Sequence, residues 1–207
     1  MGLIMEHNGP AEGYETVPLP VADAGGETQG RGAAVLRRRS ARPSKRAVVY
    51  VHYLDDSFVP ADVVGWYTGR AFHFYAADLR AVGTGGRNVT QASRAASELS
   101  TCFAFLDAAV AHLREADAIE TLVVSAHAAG ALIAALWCHA RRGSRPVDAL
   151  ILTSPELGAG HPARHWLARS RATREDEESS RRSSPLLAGA QRRLRRGLDI
   201  ACPVLVM

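Results

Sequence analysis

The sequence predicts an α/β fold, a doubly wound and mostly parallel sheet, from three observations. Short apolar runs alternate with segments of helical spacing through the middle of the chain, which is typical of strand–helix–strand units. The runs are continuous, as in strands that are covered on both faces. The composition, with 47% hydrophobic and 22% charged residues among 207, suits one globular domain with a full core.

The opening of the chain predicts a β-hairpin, because residues 13–21 alternate loosely and a second short apolar run follows at 33–36. The arginine-rich run that leads on to Lys45 and Arg46 contains Pro43. We interpret it as a solvated strand end and loop, since runs of charge are usually solvated. The predicted core strands are, in chain order, residues 47–51, 72–77, 121–125, 149–153 and 203–207.

Two helices are predicted between these strands. Apolar residues recur at steps of three and four from Ala96 to about Ala116, which marks an amphipathic helix. The same spacing runs through 132–137, and Gly143 follows as a stop signal.

The chain divides by composition into three parts. Residues 1–157 form the predicted core, and 198–207 hold the final core strand. Residues 158–197 carry ten arginines and little apolar periodicity, so we expect a short, cap-like insertion that is partly disordered. The chain stops within or just after the last strand, so we expect a core that lacks its C-terminal part. The edge left by that loss would favour marginal stability or a dimer.

Composition excludes several classes of function. No run approaches the roughly 18 apolar residues of a membrane-spanning helix, and we expect a cytoplasmic protein. The net charge is +4, with Lys45 as the only lysine, but we find no interleaving with aromatic residues that would predict nucleic-acid binding. Three distant cysteines, expected to be buried, and the pair His161 and His165 are too few for a metal site. We predict no metal and no cofactor.

One turn carries the strongest functional signal. Residues 125–130 read Ser-Ala-His-Ala-Ala-Gly between a buried strand and a helix, where α/β-hydrolases place their G-x-S-x-G nucleophile elbow. Ala126 and Gly130 keep the small flanks of that turn, and His127 keeps the histidine before the nucleophile position.

The chain resembles the α/β-hydrolase superfamily, in particular its serine aminopeptidase and monoacylglycerol-lipase-like branch. Order and spacing agree from 33 to 155, and 203–207 matches weakly. The resemblance implies a carboxylic-ester hydrolase fold with a cap insertion in the arginine-rich stretch. The segments that carry it, besides the elbow, are His52 for the oxyanion loop, Asp78-Leu79-Arg80 with Gly83 for a D-x-R-x-x-G-x-S loop, and Ser154-Pro155 for an S-P pair.

Departures from the family pattern predict an inactive copy. Ala128 stands where the nucleophilic serine is expected, and a methyl group has no lone pair to attack a carbonyl. Tyr53 replaces the glycine of the oxyanion loop. The resemblance places the catalytic acid and histidine beyond residue 207. The oxyanion hole would be left with the backbone N–H groups of Tyr53 and Ala129.

Other residues near these motifs are given structural interpretations. Ser125 is expected to point into the sheet packing, and His127 lacks an activated partner nearby in sequence. The run 83–86 holds only part of a dinucleotide fingerprint. The pair Asp55 and Asp56 suits a solvated turn.

Three hypotheses of function stay open. The chain is a catalytically silent relative of lysophospholipase or monoacylglycerol-lipase-type hydrolases, or a non-catalytic binding module for a small apolar acyl ligand, or a fragment without a function of its own. The candidate residues that would line the ligand site are His52, Tyr53, Phe58, His127 and Trp166.

Overall fold

The computed structural model describes residues 5–6, 9–10, 13–19, 34–53, 61–79, 91–155, 193 and 197–207. The helices within these ranges are α1 (Ala61–Gly69), α2 (Gln91–Glu115) and α3 (Ala128–Ala140). The strands are β1 (Met5–Glu6), β2 (Gly9–Pro10), β3 (Glu15–Pro18), β4 (Ala34–Arg38), β5 (Arg46–His52), β6 (His73–Asp78), β7 (Thr121–His127), β8 (Ala149–Thr153) and β9 (Val204–Val206).

Seven strands form one sheet in the order β3-β4-β6-β5-β7-β8-β9. The strands from β6 to β9 in this order run parallel, whereas the β3–β4 hairpin is antiparallel and β4 pairs antiparallel with β6. The sheet is mostly parallel, and its spatial order differs from the chain order because β6 lies between β4 and β5. This confirms the predicted fold class, a doubly wound and mostly parallel sheet. The carboxyl ends of β5, β6, β7 and β8 consequently share one edge of the sheet, which we call the carboxyl edge.

Helices cover both faces of the sheet. On one face α2 and α3 bury the larger core, with Trp137 and Tyr75 as its bulkiest aromatic residues. On the other face α1 contributes Val64 and Tyr67 to a smaller cluster around Phe74. Because side chains alternate along β5, Val49 and Val51 face the larger core while Val48 faces the smaller one.

The predicted strands agree with the observed ones to within about two residues, and the hairpin is present as β3 and β4. Helix α2 begins at Gln91, ahead of the predicted start near Ala96. Helix α1 and the small β1–β2 hairpin were not predicted. Most of the expected insertion at 158–197, together with Phe58 and Trp166, lies outside the described residues.

Two local predictions are corrected by the structure. Cys202 is only half-buried, whereas Cys102 and Cys138 are buried as expected. Arg37 belongs to the run interpreted as solvated, yet its guanidinium is largely covered and contacts the buried carboxylate of Asp117. The remaining charges of that run are exposed, both at the adjoining ends of β4 and β5 and in the link between them.

Candidate functional site

The strand β7 passes into helix α3 without an intervening loop. His127 is still extended, with φ −119° and ψ 142°, and the chain turns at Ala128, whose φ is +49°. A non-glycine residue rarely adopts this left-handed conformation, which costs free energy and is concentrated at functional turns. Ala128 therefore lies at a strained corner between a buried strand and a helix, at the carboxyl edge.

Gly130 brings this corner against the neighbouring strand β5. A Cβ atom added at Gly130 would lie 2.7 Å from the carbonyl oxygen of Val51 and 3.0 Å from Cα of His52. Both are backbone atoms, which cannot rotate away as the end of a side chain can. The first turn of α3 thus rests directly on the end of β5, and only glycine fits at this contact.

The sheet register brings further predicted residues to the same edge. His52 is the last residue of β5 and lies beside Asp78, the last residue of β6. His127 lies beside Thr153 of β8, and Ser154 follows with φ +46°. Asp78 was quoted in the sequence only as part of a loop motif. Its position directly after an apolar run, like that of His52, was the available signal that it ends a neighbouring strand.

Burial differs among the candidate residues. His52 and Tyr53 are half-buried, with Tyr53 packed against the larger core, while the His127 side chain is exposed. Ser125 is buried within β7 between Tyr50 and Ile151. Such a position keeps its hydroxyl in the sheet packing and away from the corner.

The corner can hold negative charge but offers no nucleophile of its own. The first N–H groups of a helix, including that of Ala129, have no acceptor within the helix and carry the positive end of its dipole. Ala128 contributes only a methyl group there. Cys138 lies further along α3, and burial raises the pKa of its thiol to about 12, so it stays protonated and unreactive at neutral pH.

The described residues contain no group of three or more His, Cys, Asp or Glu side chains that could hold a metal ion. Among the same residues, no helix is long and apolar enough to cross a membrane.

Comparison with known proteins places this geometry in a family. The model of serine aminopeptidase S33 matches residues 42–177, which is more than half of the chain. No curated protein matches. An esterase from Pyrobaculum calidifontis superposes with a TM-score of 0.64 at 16% identity, over 96% of this chain and 67% of that one.

Two further solved structures have the same fold. An esterase from Pyrococcus furiosus gives a TM-score of 0.55 at 14% identity, covering 93% of this chain and 67% of that one. A monoacylglycerol lipase from Paleococcus ferrophilus gives 0.50 at 17% identity, covering 83% and 76%. These identities show the fold alone, whereas the match to the family model covers β5 to β8 and the corner described above. The chain belongs to the serine aminopeptidase S33 family of α/β-hydrolases.

Proposed function

We propose that this chain is a non-hydrolytic relative of carboxylic-ester hydrolases of the lysophospholipase or monoacylglycerol-lipase type. The observation that carries the proposal is Ala128 at the strained corner between β7 and α3. Serine chemistry at this corner requires an oxygen that attacks the ester carbonyl. The alanine methyl group cannot form that bond.

The rest of the corner can still recognise a carbonyl group. The backbone N–H groups of Ala129 and Tyr53 are our candidates for the oxyanion hole, since one begins α3 and the other follows β5. In triad hydrolases that lose a catalytic residue, binding and the oxyanion hole alone retain roughly 10³- to 10⁴-fold catalysis over water. We propose that this chain uses the same groups for binding only.

Hydrolysis of p-nitrophenyl acetate and p-nitrophenyl decanoate tests this proposal directly. We expect no turnover above the blank for the unchanged protein. We expect Ala128→Ser to remain within roughly a hundredfold of the blank, because a serine hydroxyl also needs a base within hydrogen-bond reach. A larger rescue would show that the chain does supply a base. Turnover by the unchanged protein that Ser125→Ala abolishes would instead assign the nucleophile to Ser125.

A second candidate function is a binding site for a small apolar acyl ligand. It is favoured by Tyr53, which packs on the core beside the corner, together with half-buried His52 and exposed His127. Phe58 and Trp166 are further lining candidates from the sequence. Titration with decanoic acid, followed by tryptophan fluorescence, should saturate, and His127→Ala should weaken it. An unsaturable signal that the substitution leaves unchanged would contradict this function.

Several sequence predictions complete the proposal. The division into a core at 1–157, a cap-like insertion at 158–197 and a final strand at 198–207 stays a prediction, as does a cytoplasmic location. We also propose that two copies pair through the outermost strand of the sheet, β9. Its exposed apolar side chains support this, since Val204, Leu205 and Val206 are 42%, 53% and 56% exposed. Sedimentation velocity over a range of concentrations would reveal the pairing, and a concentration-independent monomer would contradict it.

A further inference from the structure

The end of the sheet opposite to the carboxyl edge carries arginines that lack acidic partners. Arg37, Arg39 and Lys45 in this region each contact a carboxylate. Four other exposed arginines have no carboxylate within 4 Å among the described residues. They are Arg38 at the end of β4, Arg42 in the β4–β5 link, Arg46 at the start of β5 and Arg70 after α1.

Aromatic rings hold three of these guanidinium groups. The Arg46 guanidinium carbon lies 4.8 Å from the centre of the Phe72 ring, and its Nη2 donates to the Arg70 carbonyl oxygen at 2.9 Å. The Arg70 guanidinium carbon lies 4.2 Å from the centre of the Trp66 ring. Arg38 lies over Tyr14 at 5.3 Å. Stacking of this kind is favourable and reduces the freedom of the side chains before any partner binds.

The link that carries Arg42 is also fixed to the fold. His73 is buried, and its Nδ1 accepts a hydrogen bond of 3.0 Å from the backbone N–H of Ser40. Its Nε2 therefore carries the proton and donates to the carbonyl oxygen of Ser44 at 3.0 Å. The Ser40 hydroxyl donates in turn to the carbonyl oxygen of Thr68 near the end of α1. These hydrogen bonds fix the backbone of the link that carries Arg42 to β6 and α1.

Trp66 completes the surface, because it is the only exposed aromatic side chain among the large hydrophobic residues described. It is 52% exposed and lies one helical turn before Arg70. Its indole combines an apolar ring with one N–H donor, a combination that is enriched at membrane–water interfaces. We call the group of Arg38, Arg42, Arg46, Arg70 and Trp66 the Arg–Trp surface.

We propose that the Arg–Trp surface binds the headgroup layer of an anionic phospholipid membrane. Guanidinium groups bond lipid phosphates as paired donors, and Trp66 would insert at the level of the headgroups. The surface lies at the opposite end of the sheet from the corner at Ala128, so the proposal is independent of what that corner binds. Its consequence is a protein that attaches to a charged bilayer with the candidate site turned away from it.

The same charges could attract nucleic acid, but the aromatic residues favour a membrane. Single strands are bound by several free ring faces on which successive bases stack. Here arginines already cover the rings of Phe72 and Tyr14. Trp66 is the exposed ring, although the Arg70 guanidinium lies over it at 4.2 Å. A single, partly covered indole suits one interfacial anchor among phosphate-binding groups.

Vesicle co-sedimentation tests the proposal with vesicles of phosphatidylcholine alone and with 30% phosphatidylserine. We expect binding only to the latter, and its loss at 1 M salt, where charges are screened within about 3 Å. Each arginine near an anionic surface is worth about fivefold in affinity, so the double variant Arg46→Gln with Arg70→Gln should bind roughly 25-fold more weakly. Arg42→Gln, whose side chain makes no described contact, should lose about fivefold.

The matched control is Arg142→Gln with Arg145→Gln at and after the end of α3, which packs on the other face of the sheet. This control variant also removes two positive charges, but from outside the Arg–Trp surface, and it should retain binding. Equal loss in both double variants would show attraction by net charge alone and overturn the proposal. Tight binding of a single-stranded oligonucleotide without vesicle binding would overturn it as well. Thermal melts of each variant confirm that the protein is folded in the assay.

Discussion

Replacing Gly130 with valine is expected to lower the free energy of unfolding by about 3 kcal/mol, the upper end of the usual cost of overpacking. The added Cβ atom would lie 2.7 Å from the carbonyl oxygen of Val51 and 3.0 Å from Cα of His52. To relieve this contact, either the first turn of α3 or the end of β5 must move. Both elements are buried and close-packed here, so the relaxation cannot be local.

Gly65 offers a matched control for this substitution. It lies inside α1, it is exposed, and an added Cβ would have nothing within 4 Å. Gly65→Val should therefore change the free energy of unfolding by less than about 0.5 kcal/mol, since only helix propensity and solvent exposure change. Urea unfolding at 25 °C measures both variants. Equal effects at the two positions would contradict the close approach of α3 to β5.

The Gly130 contact also matters for the candidate site. It determines how far the Ala129 N–H lies from the segment of His52 and Tyr53, whose N–H groups are proposed to act together. The Gly130→Val protein that remains folded should then bind an acyl ligand more weakly than Gly65→Val. This difference would separate a site formed at the corner from binding elsewhere on the molecule.

The elbow corner and the parallel strands could be predicted because their signals are local. A valine-rich run that is followed by small residues and then by helical spacing describes β7, the corner and α3 within twenty residues. Helix α1 gave no such signal, since it buries little besides Val64 and Tyr67 and contains Gly65. Its helical state depends on packing against β6, a contact that periodicity does not report.

The arginine-rich run that begins at the end of β4 also depends on contacts with distant segments, which the sequence pattern does not report. Arg37 and its neighbours are equivalent in sequence, yet Arg37 reaches Asp117, eighty residues away, while Arg38 stacks on Tyr14. Strand alternation sends neighbouring side chains to opposite faces. The partner on each face comes from distant parts of the chain. The sequence therefore predicted the run of charge, but not which arginine is neutralised and which is left available.

Replacing Asp117 with alanine is expected to destabilise the protein by about 3 kcal/mol, the lower end of the cost of breaking a buried ion pair. The Asp117 side chain is 7% exposed and that of Arg37 is 13% exposed. The carboxylate of Asp117 accepts hydrogen bonds from Arg37 Nη1 at 2.7 Å and from the Tyr75 hydroxyl at 2.8 Å. The lower end applies because Arg37 would keep its contact with Glu15.

Glu120 provides the control, since it lies in the same loop and pairs with Lys45 at the surface. Both side chains of this pair are well exposed, and such pairs contribute about 0–1 kcal/mol. Glu120→Ala should therefore be close to neutral in urea unfolding. If Asp117→Ala were equally mild, the network of Arg37, Tyr75 and Asp117 would not be a significant contributor to stability.

The pH dependence of Asp117→Asn gives an independent test of the same network. Burial alone would raise the pKa of Asp117, but hydrogen bonds from Tyr75 and Arg37 and the nearby positive charges hold it below its ordinary value of 3.8. A lowered pKa in the folded state stabilises the protein above the ordinary pKa, and this contribution is lost as pH falls through the folded value. Asparagine cannot titrate, so the stability difference between the unchanged protein and Asp117→Asn should be largest near pH 7. It should shrink below about pH 4, because the carboxyl group of the unfolded chain binds a proton there before the folded Asp117 does. Once the folded Asp117 is protonated too, its charge no longer contributes to stability. A difference that stays constant down to pH 3 would mean that the charge of Asp117 does not stabilise the fold.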